Sequence, residues 1–361
     1  MKLLEPITIG GLSLKNRMVM APMTRSRADA TGNLIPLTTL YYQQRATAGL
    51  IISEGIAISK EAIGMPFISG LYTQEQIAGW KKVTDAVHQS GGKIIAQLWH
   101  TGRAAHSANK DGEMPVAPSA VAIENQEVYT GFGRSGFETP RELTHAGIKA
   151  VLQDYRQAAI NALEAGFDGV ELHAAFGYLP NQFLSESSNT RTDEYGGSIE
   201  NRSRFILEVL KQLITVAGAD KVGIKLSPSS IYHGIMDQDP VAVYTYLLEE
   251  LDKLPLAYIH IMQPMFPVDE FPQYPKDVIP AFGHLIRKPL IINAGYTRAT
   301  AEEMLQEDKA QLVSFGALFL SNPDLPERFR LNAALNVLDR DTMYGGGDAK
   351  GYTDYPFLEQ Q

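Results

Sequence analysis

The sequence predicts an α/β protein built as one (β/α)8 TIM barrel over residues 1–361, with an N-terminal hairpin and a long excursion after the third barrel strand, at about 100–143. Two observations lead there. Short β-branched apolar runs alternate with amphipathic stretches of helical period, and the runs are nearly continuous in apolar character, as parallel strands covered by helices are. The runs number eight, and eight strand–helix units close most naturally into a barrel, a fold that reaches this length as one domain. An open doubly wound sheet is the runner-up and would usually have fewer strands.

Taken in order, "ITIGGLSLK" (7–15) reads as a hairpin that plugs the barrel bottom. The strand runs are 17–23, 49–59, 93–99, 167–173, 221–227, 256–262, 288–295 and 310–317. The helix over 73–92 places Ile77, Trp80, Val83 and Val87 at helical spacing and stops at Gly91. The next, over 144–166, opens on Thr144 as N-cap, and the one over 198–218 opens on Ser198. Further helices fit 239–253, 299–308 and 323–336. The stretch 100–143 is rich in glycine and proline, lacks helical period and is too long for an ordinary connection, so it reads as an excursion over the barrel mouth.

With 20% charged and 44% hydrophobic residues, the chain suits a globular fold with a multilayer core. Its net charge of -9 argues against nucleic acid or an acidic membrane as partner, since both need a basic surface. There is no cysteine, which excludes disulfides, thiolate metal sites, iron–sulfur clusters, a cysteine nucleophile and flavin attachment through cysteine. No metal site is expected. The N-terminus lacks the apolar stretch of a signal peptide, and no run reaches the roughly 18 apolar residues of a membrane span, so a cytoplasmic protein is expected.

"GFGRSG" (131–136) has the letters of a dinucleotide fingerprint, but it neither follows a strand nor opens a helix, and it reads as a loop turn. The informative polar groups are those at strand C-terminal ends, where barrel enzymes gather function. Thr24, Gln97, His173, Lys225 and the "NAGYT" segment (293–297) all fall there. Each alone has a bland reading, a cap or a satisfied core side chain; together they outline one site. The backbone of "NAGYT" and of "FGALFLSNPD" (315–324), each followed by a helix, suits a phosphate. Residues alone lead to a barrel enzyme with a phosphate-bearing ligand.

Longer motifs go further. "NRMVMAPMTRSRA" (16–28), "GGKIIAQLWHTGR" (91–103), "GFDGVELHAAFGYLPNQFLS" (166–185), "NTRTDEYGGSIENRSRF" (189–205) and "YGGGDAKGYTDYP" (344–356) resemble the old yellow enzyme family of FMN-dependent ene-reductases, in the N-ethylmaleimide reductase and pentaerythritol tetranitrate reductase branch. The resemblance implies noncovalent FMN at the strand C-terminal ends, reduced by NAD(P)H, with NADPH the expected reductant. It implies hydride transfer to activated alkenes (enones, maleimides, nitroalkenes), protonation by a tyrosine, and a monomer or weak homodimer. Carried over by position, Pro22, Met23, Thr24, Gly55, Gln97, Lys225, Ala294, Gly295, Gly316 and Ala317 bind the cofactor. His173 binds the substrate's oxygen and Tyr178 donates the proton, while Phe176, Trp99, Met65, Arg134 and Tyr344 shape the pocket.

Three positions depart from the family. Phe176 stands where the family has a second donor, histidine or asparagine; losing one oxyanion donor costs about 2.7–4 kcal/mol, on the order of 10²–10³ in rate. Lys225 replaces an arginine, keeping the charge and losing the fork geometry. Ala317 replaces the arginine that grips the phosphate; a lost charge-assisted hydrogen bond is worth about 1.5–3 kcal/mol, or roughly 10- to 150-fold in affinity. These departures keep alternatives open: a reductase with a shifted substrate class or weakened activity, a flavin binder without turnover, and a Schiff-base barrel enzyme using Lys225.

Overall fold

The hairpin comes first: β1 (Ile7–Ile9) pairs antiparallel with β2 (Leu12–Leu14), in a computed structural model that describes residues 1–359. Ile9, Leu12 and Leu14 alternate inward and pack on Val19, Leu50, Ile52 and Ile95, closing the barrel at the end where its strands begin, as expected of a plug. The barrel strands follow as β3 (Met18–Met20), β4 (Leu50–Ala57) and β5 (Ile94–Trp99). Within the excursion lie β6 (Val116–Ala117), β7 (Glu127–Tyr129), β8 (Arg134–Gly136) and β9 (Arg141–Glu142). The barrel resumes with β10 (Gly169–Ala174), β11 (Val222–Leu226), β12 (Tyr258–Met262), β13 (Leu290–Asn293) and β14 (Leu312–Phe315). Eight parallel strands close in chain order, with β14 pairing β3 through Val313 and Met18. The closed barrel removes the open-sheet alternative.

The helices between them are α1 (Pro36–Gln44), α2 (Gln74–Gln89), α3 (His145–Glu164), α4 (Leu179–Leu184), α5 (Ile199–Ala217), α6 (Pro240–Asp252), α7 (Val278–Phe282), α8 (Arg298–Gln306), α9 (Ala317–Ser321) and α10 (Leu325–Leu331). The predicted caps are present: Thr73 and Gln76 form a capping box, Thr144 accepts from the Gly147 amide, and Ser198 accepts from the Asn201 amide. The helix expected over 323–336 is shorter. It ends at Leu331 because Asn332 turns left-handed at φ 52°, and Arg328 then donates to the Ala334 carbonyl and so holds the following chain in a non-helical path. Four helices were not foreseen, α1, α4, α7 and α9, and three of these have six residues or fewer, too short to show a period.

The excursion contains two small strand pairs, β6 with β9 and β7 with β8. "GFGRSG" is the turn and second strand of the β7–β8 hairpin, with Gly131 at φ 81° and Gly133 at φ 139°, which agrees with the turn reading. Among the described residues no helix is long and apolar enough to cross a membrane.

Candidate active site

Adjacent strands bring the expected polar residues to one mouth. In register, Gly55 of β4 lies beside Gln97 of β5, Gln97 beside Glu171 of β10, and His173 of β10 beside Lys225 of β11, which in turn lies beside His260 of β12. The β4–β5 register shifts between Ile52 and Gly55, so Ser53 and Glu54 form an irregularity next to the site. The Gln97 amide donates to the Ser53 hydroxyl there, at 3.0 Å. Gly55 has a packing reason to be glycine: a Cβ would stand 2.7 Å from the Trp99 ring.

His173 is buried, and its Nδ1 has no hydrogen-bond partner. Its ring meets the edge of the Tyr178 ring at 4.8 Å between centroids, and Tyr178 in turn meets Trp99 at 4.9 Å. Burial first, then the nearby Lys225 and His260, hold the His173 imidazole well below its ordinary pKa, so it is neutral at physiological pH and has one N–H to donate. Burial and the facing Tyr232 and Tyr344 hydroxyls push the Tyr178 phenol far above its ordinary range, so it carries its proton. Tyr178 is the N-cap residue of α4, and Pro180 sits in the first turn of that helix, where its missing N–H costs nothing.

Phe176 lies between them in the left-handed region, at φ 57°. The turn is latched from both sides. Its N–H donates to the Ser227 hydroxyl at 2.9 Å, and its carbonyl accepts from His233 Nδ1 at 2.8 Å. The ring faces His173 and Tyr232 at 6.4 and 6.1 Å and offers neither a donor.

Beneath the mouth runs a buried polar chain that sequence reading did not single out. Gln97 Nε2 donates to Glu171 at 2.8 Å, Glu171 accepts from His260 Nδ1 at 3.0 Å, and His260 Nε2 pairs with the Ser314 hydroxyl at 2.8 Å. Glu171 was legible only as one polar letter two residues before His173, the period that puts both side chains on the inner face. Lys225 is buried beside this chain and makes no hydrogen bond among the described residues. Burial lowers its pKa to about 8 against the opposing pull of Glu171.

The remaining expected residues assemble at the rim. Pro22, Met23 and Thr24 follow β3 half-buried, and the space a Cβ on Gly316 would occupy is 3.4 Å from Met23 Sδ. The Gly295 and Gly316 amides have no hydrogen-bond acceptor among the described residues. Ala294 and Gly295 are both left-handed, at φ 74° and 81°. In the first turn of α8 the Thr297 side chain accepts from the Thr300 amide. Ala317 is exposed and opens α9. Tyr344 and Arg134 are exposed at the mouth near Tyr232, and Met65 is half-buried against the core.

Tyr344 arrives there through residues the sequence reading missed. Arg25 donates to the Met343 and Gly351 carbonyls and lies over the Tyr41 and Tyr352 rings, while Arg27 donates to the Asp348 and Lys350 carbonyls. These two arginines pin the C-terminal "YGGGDAKGYTDYP" motif to the loop after β3. At the start of α3, His145, Asp193 and Glu194 face one another, and Arg191 also pairs with Asp193.

Polar atoms without a partner among the described residues thus gather at this mouth, His173 Nδ1, Trp99 Nε1 and the amides of Gly295 and Gly316, beside the buried Lys225 amine. They fit a planar ligand with its own donors and acceptors and an anionic tail. Fold and site together define a flavin-type (β/α)8 oxidoreductase. Residues 2–336 match the model of the NADH:flavin oxidoreductase / NADH oxidase family. Morphinone reductase is 47% identical, covering 99% of this chain and 96% of that one, with a TM-score of 0.94. The old yellow enzyme homologue from Zymomonas mobilis is 39% identical, covering 99% and 100%, also with a TM-score of 0.94. The rice (Oryza sativa subsp. japonica) 12-oxophytodienoate reductase 1 is 42% identical over 99% of this chain and 93% of its own length. The chain belongs to the old yellow enzyme family and is an FMN flavoprotein oxidoreductase.

Proposed function

We propose that this protein reduces activated C=C bonds at the expense of NAD(P)H, with NADPH the preferred reductant. The observation that carries the reading is the edge contact of His173 and Tyr178, at 4.8 Å, at a mouth where both flank Trp99. Bound FMN supplies the two-electron chemistry between nicotinamide and alkene. The chain's own groups do the rest. Neutral His173 donates to the carbonyl or nitro oxygen of the substrate, and Tyr178 delivers its proton to the carbon next to that group. Lys225 provides a cation beside the cofactor's pyrimidine edge, and Gln97 a hydrogen-bonding amide. Pro22, Met23, Thr24 and Gly55 line the ring system; Ala294, Gly295 and Gly316 offer amides to the phosphate, beside Ala317. Trp99, Met65, Arg134 and Tyr344 bound the substrate space.

Nicotinamide use draws support from a morphinone reductase, 46% identical to this chain, whose structure is a complex with tetrahydroNAD. Phe176 narrows the substrate class. With one donor instead of two, alkenes that spread incoming charge over their own electronegative atoms, such as maleimides and nitroalkenes, are the better substrates. Family membership and the Gln97, Thr24 and Tyr178 positions favour flavin chemistry over a Schiff base at Lys225.

The test is anaerobic. The purified protein should be yellow, be bleached by NADPH, and recover its colour on addition of N-ethylmaleimide, faster than with 2-cyclohexenone. A protein that bleaches but recovers with neither alkene leaves a flavin reductase with another acceptor. A colourless protein that fails to take up added FMN overturns the reading.

A further inference from the structure

We infer that Glu171 is a positioning residue of the cofactor site, orienting the Gln97 amide so that its carbonyl oxygen, not its NH2 group, faces the mouth; this rests on the FMN reading above. Glu171 is completely buried, on a strand interior with no access to substrate. Both of its carboxylate oxygens are occupied: Oε1 accepts from Gln97 Nε2 at 2.8 Å, and Oε2 accepts from His260 Nδ1 at 3.0 Å. His260 is itself fixed. Burial keeps it neutral, so with Nδ1–H donating to Glu171 its Nε2 must accept, and the Ser314 hydroxyl donates to it at 2.8 Å. Two donors, from β5 and β12, thereby converge on one acceptor in β10, and a third, from β14, holds His260 in place.

An ionised carboxylate only accepts. Gln97 can satisfy it in one way, by turning its NH2 group down, and its Oε1, which accepts nothing among the described residues, is then presented upward. Burial opposes the charge on Glu171, but His260, Lys225 and Gln97 outweigh it and hold its pKa below the ordinary value. Gly223, the register partner of Glu171, makes room for the neighbouring Tyr258 ring, from which a Cβ would stand 2.2 Å. An upward carbonyl oxygen selects a ligand edge that carries an N–H, such as the imide of an isoalloxazine. Glutamine at position 171 would remove this selection, because it offers one donor and one acceptor and accommodates either Gln97 orientation.

The experiment titrates apoprotein with FMN and with FMN methylated at the imide nitrogen, using flavin fluorescence. Wild type should bind FMN and strongly disfavour the methylated analogue. Glu171→Gln should weaken FMN by about tenfold to a hundredfold, and its preference for FMN over the analogue should collapse toward unity. Ser314→Ala, which removes only the far end of the chain and keeps the barrel packed, should shift both values the same way by less. A Glu171→Gln protein that binds FMN like wild type, or that keeps the full preference, overturns the inference. If Glu171→Gln does not fold, Ser314→Ala decides, and an unchanged preference there overturns it. Wild type that binds neither flavin overturns the FMN reading and the inference with it, whereas an unaffected variant of a flavin-binding wild type overturns the inference alone.

Discussion

At the end where the barrel strands begin, the interior is Ile9, Leu12, Leu14, Val19, Leu50, Ile52, Ile95, Ala257, Tyr258, Ile291 and Leu312, apolar but for the Tyr258 hydroxyl, and closed off by the hairpin. At the end where they finish, the interior positions are Gln97, Glu171, His173, Lys225 and His260. The backbone differs in the same sense. Left-handed non-glycine residues just before barrel strands are Asp220 and Asp308, a residue type that tolerates that conformation. In the loops that follow the strands they include Phe67, Phe176 and Ala294, which do not tolerate it cheaply. The plug end is apolar but for that hydroxyl, and the other end holds strained loops and several unpaired polar groups, the pattern of a fold that concentrates function at one face.

Substitutions should separate the two ends, and five are ordered here from largest to smallest expected effect. Tyr178→Phe at the polar end should slow alkene reduction by about 10²–10⁴-fold, the usual worth of a general acid, while flavin reduction by NADPH stays near wild type in stopped flow. Ile52→Ala at the apolar end should cost about 2–5 kcal/mol of stability in denaturant unfolding and leave turnover per folded molecule unchanged. A loss of turnover there would show that the plug end also shapes the site.

Lys225 sharpens the contrast through pH. Its folded pKa, about 8, lies below the ordinary 10.5. Between those values the unfolded chain binds more protons, so this group makes wild-type stability rise with pH, by at most about 3 kcal/mol. Lys225→Met should lack that rise when unfolding is compared at pH 8 and pH 10. Ala317→Arg should tighten FMN binding by roughly 10- to 150-fold by adding a bidentate phosphate contact; unchanged affinity in an apoprotein titration would mean the phosphate already has another partner. The smallest effect, a change in a ratio between two substrates, is expected of Phe176→Asn. Asparagine suits the φ of 57° and adds a donor, so activity on simple enones should rise more than activity on maleimides. An unchanged ratio in a folded, yellow protein would assign Phe176 to packing.

The eight barrel strands and the longer helices were legible because periodicity and capping are local signals, repeated over enough residues to stand out. Thr73, Thr144 and Ser198 could be read as caps from a few neighbouring letters. Gln97, His173 and Lys225 could be placed at one mouth because strand C-terminal ends share a face in a parallel barrel, and Tyr178 joined them through the family resemblance. The short helices α4, α7 and α9 could not, since a turn or two carries no period.

By itself the sequence determined the fold class, the polarity of the barrel, the family and the residue types available for chemistry, since these depend on local pattern and on motifs contiguous in the chain. Only the tertiary structure decided what each polar group meets: Glu171 with His260 and Gln97, Arg25 and Arg27 with the C-terminal motif, His233 with the Phe176 carbonyl. The physical reason is that a hydrogen bond between residues tens or hundreds of positions apart leaves no periodic trace. Its partners are fixed by register and strand order, which exist only once the barrel has closed.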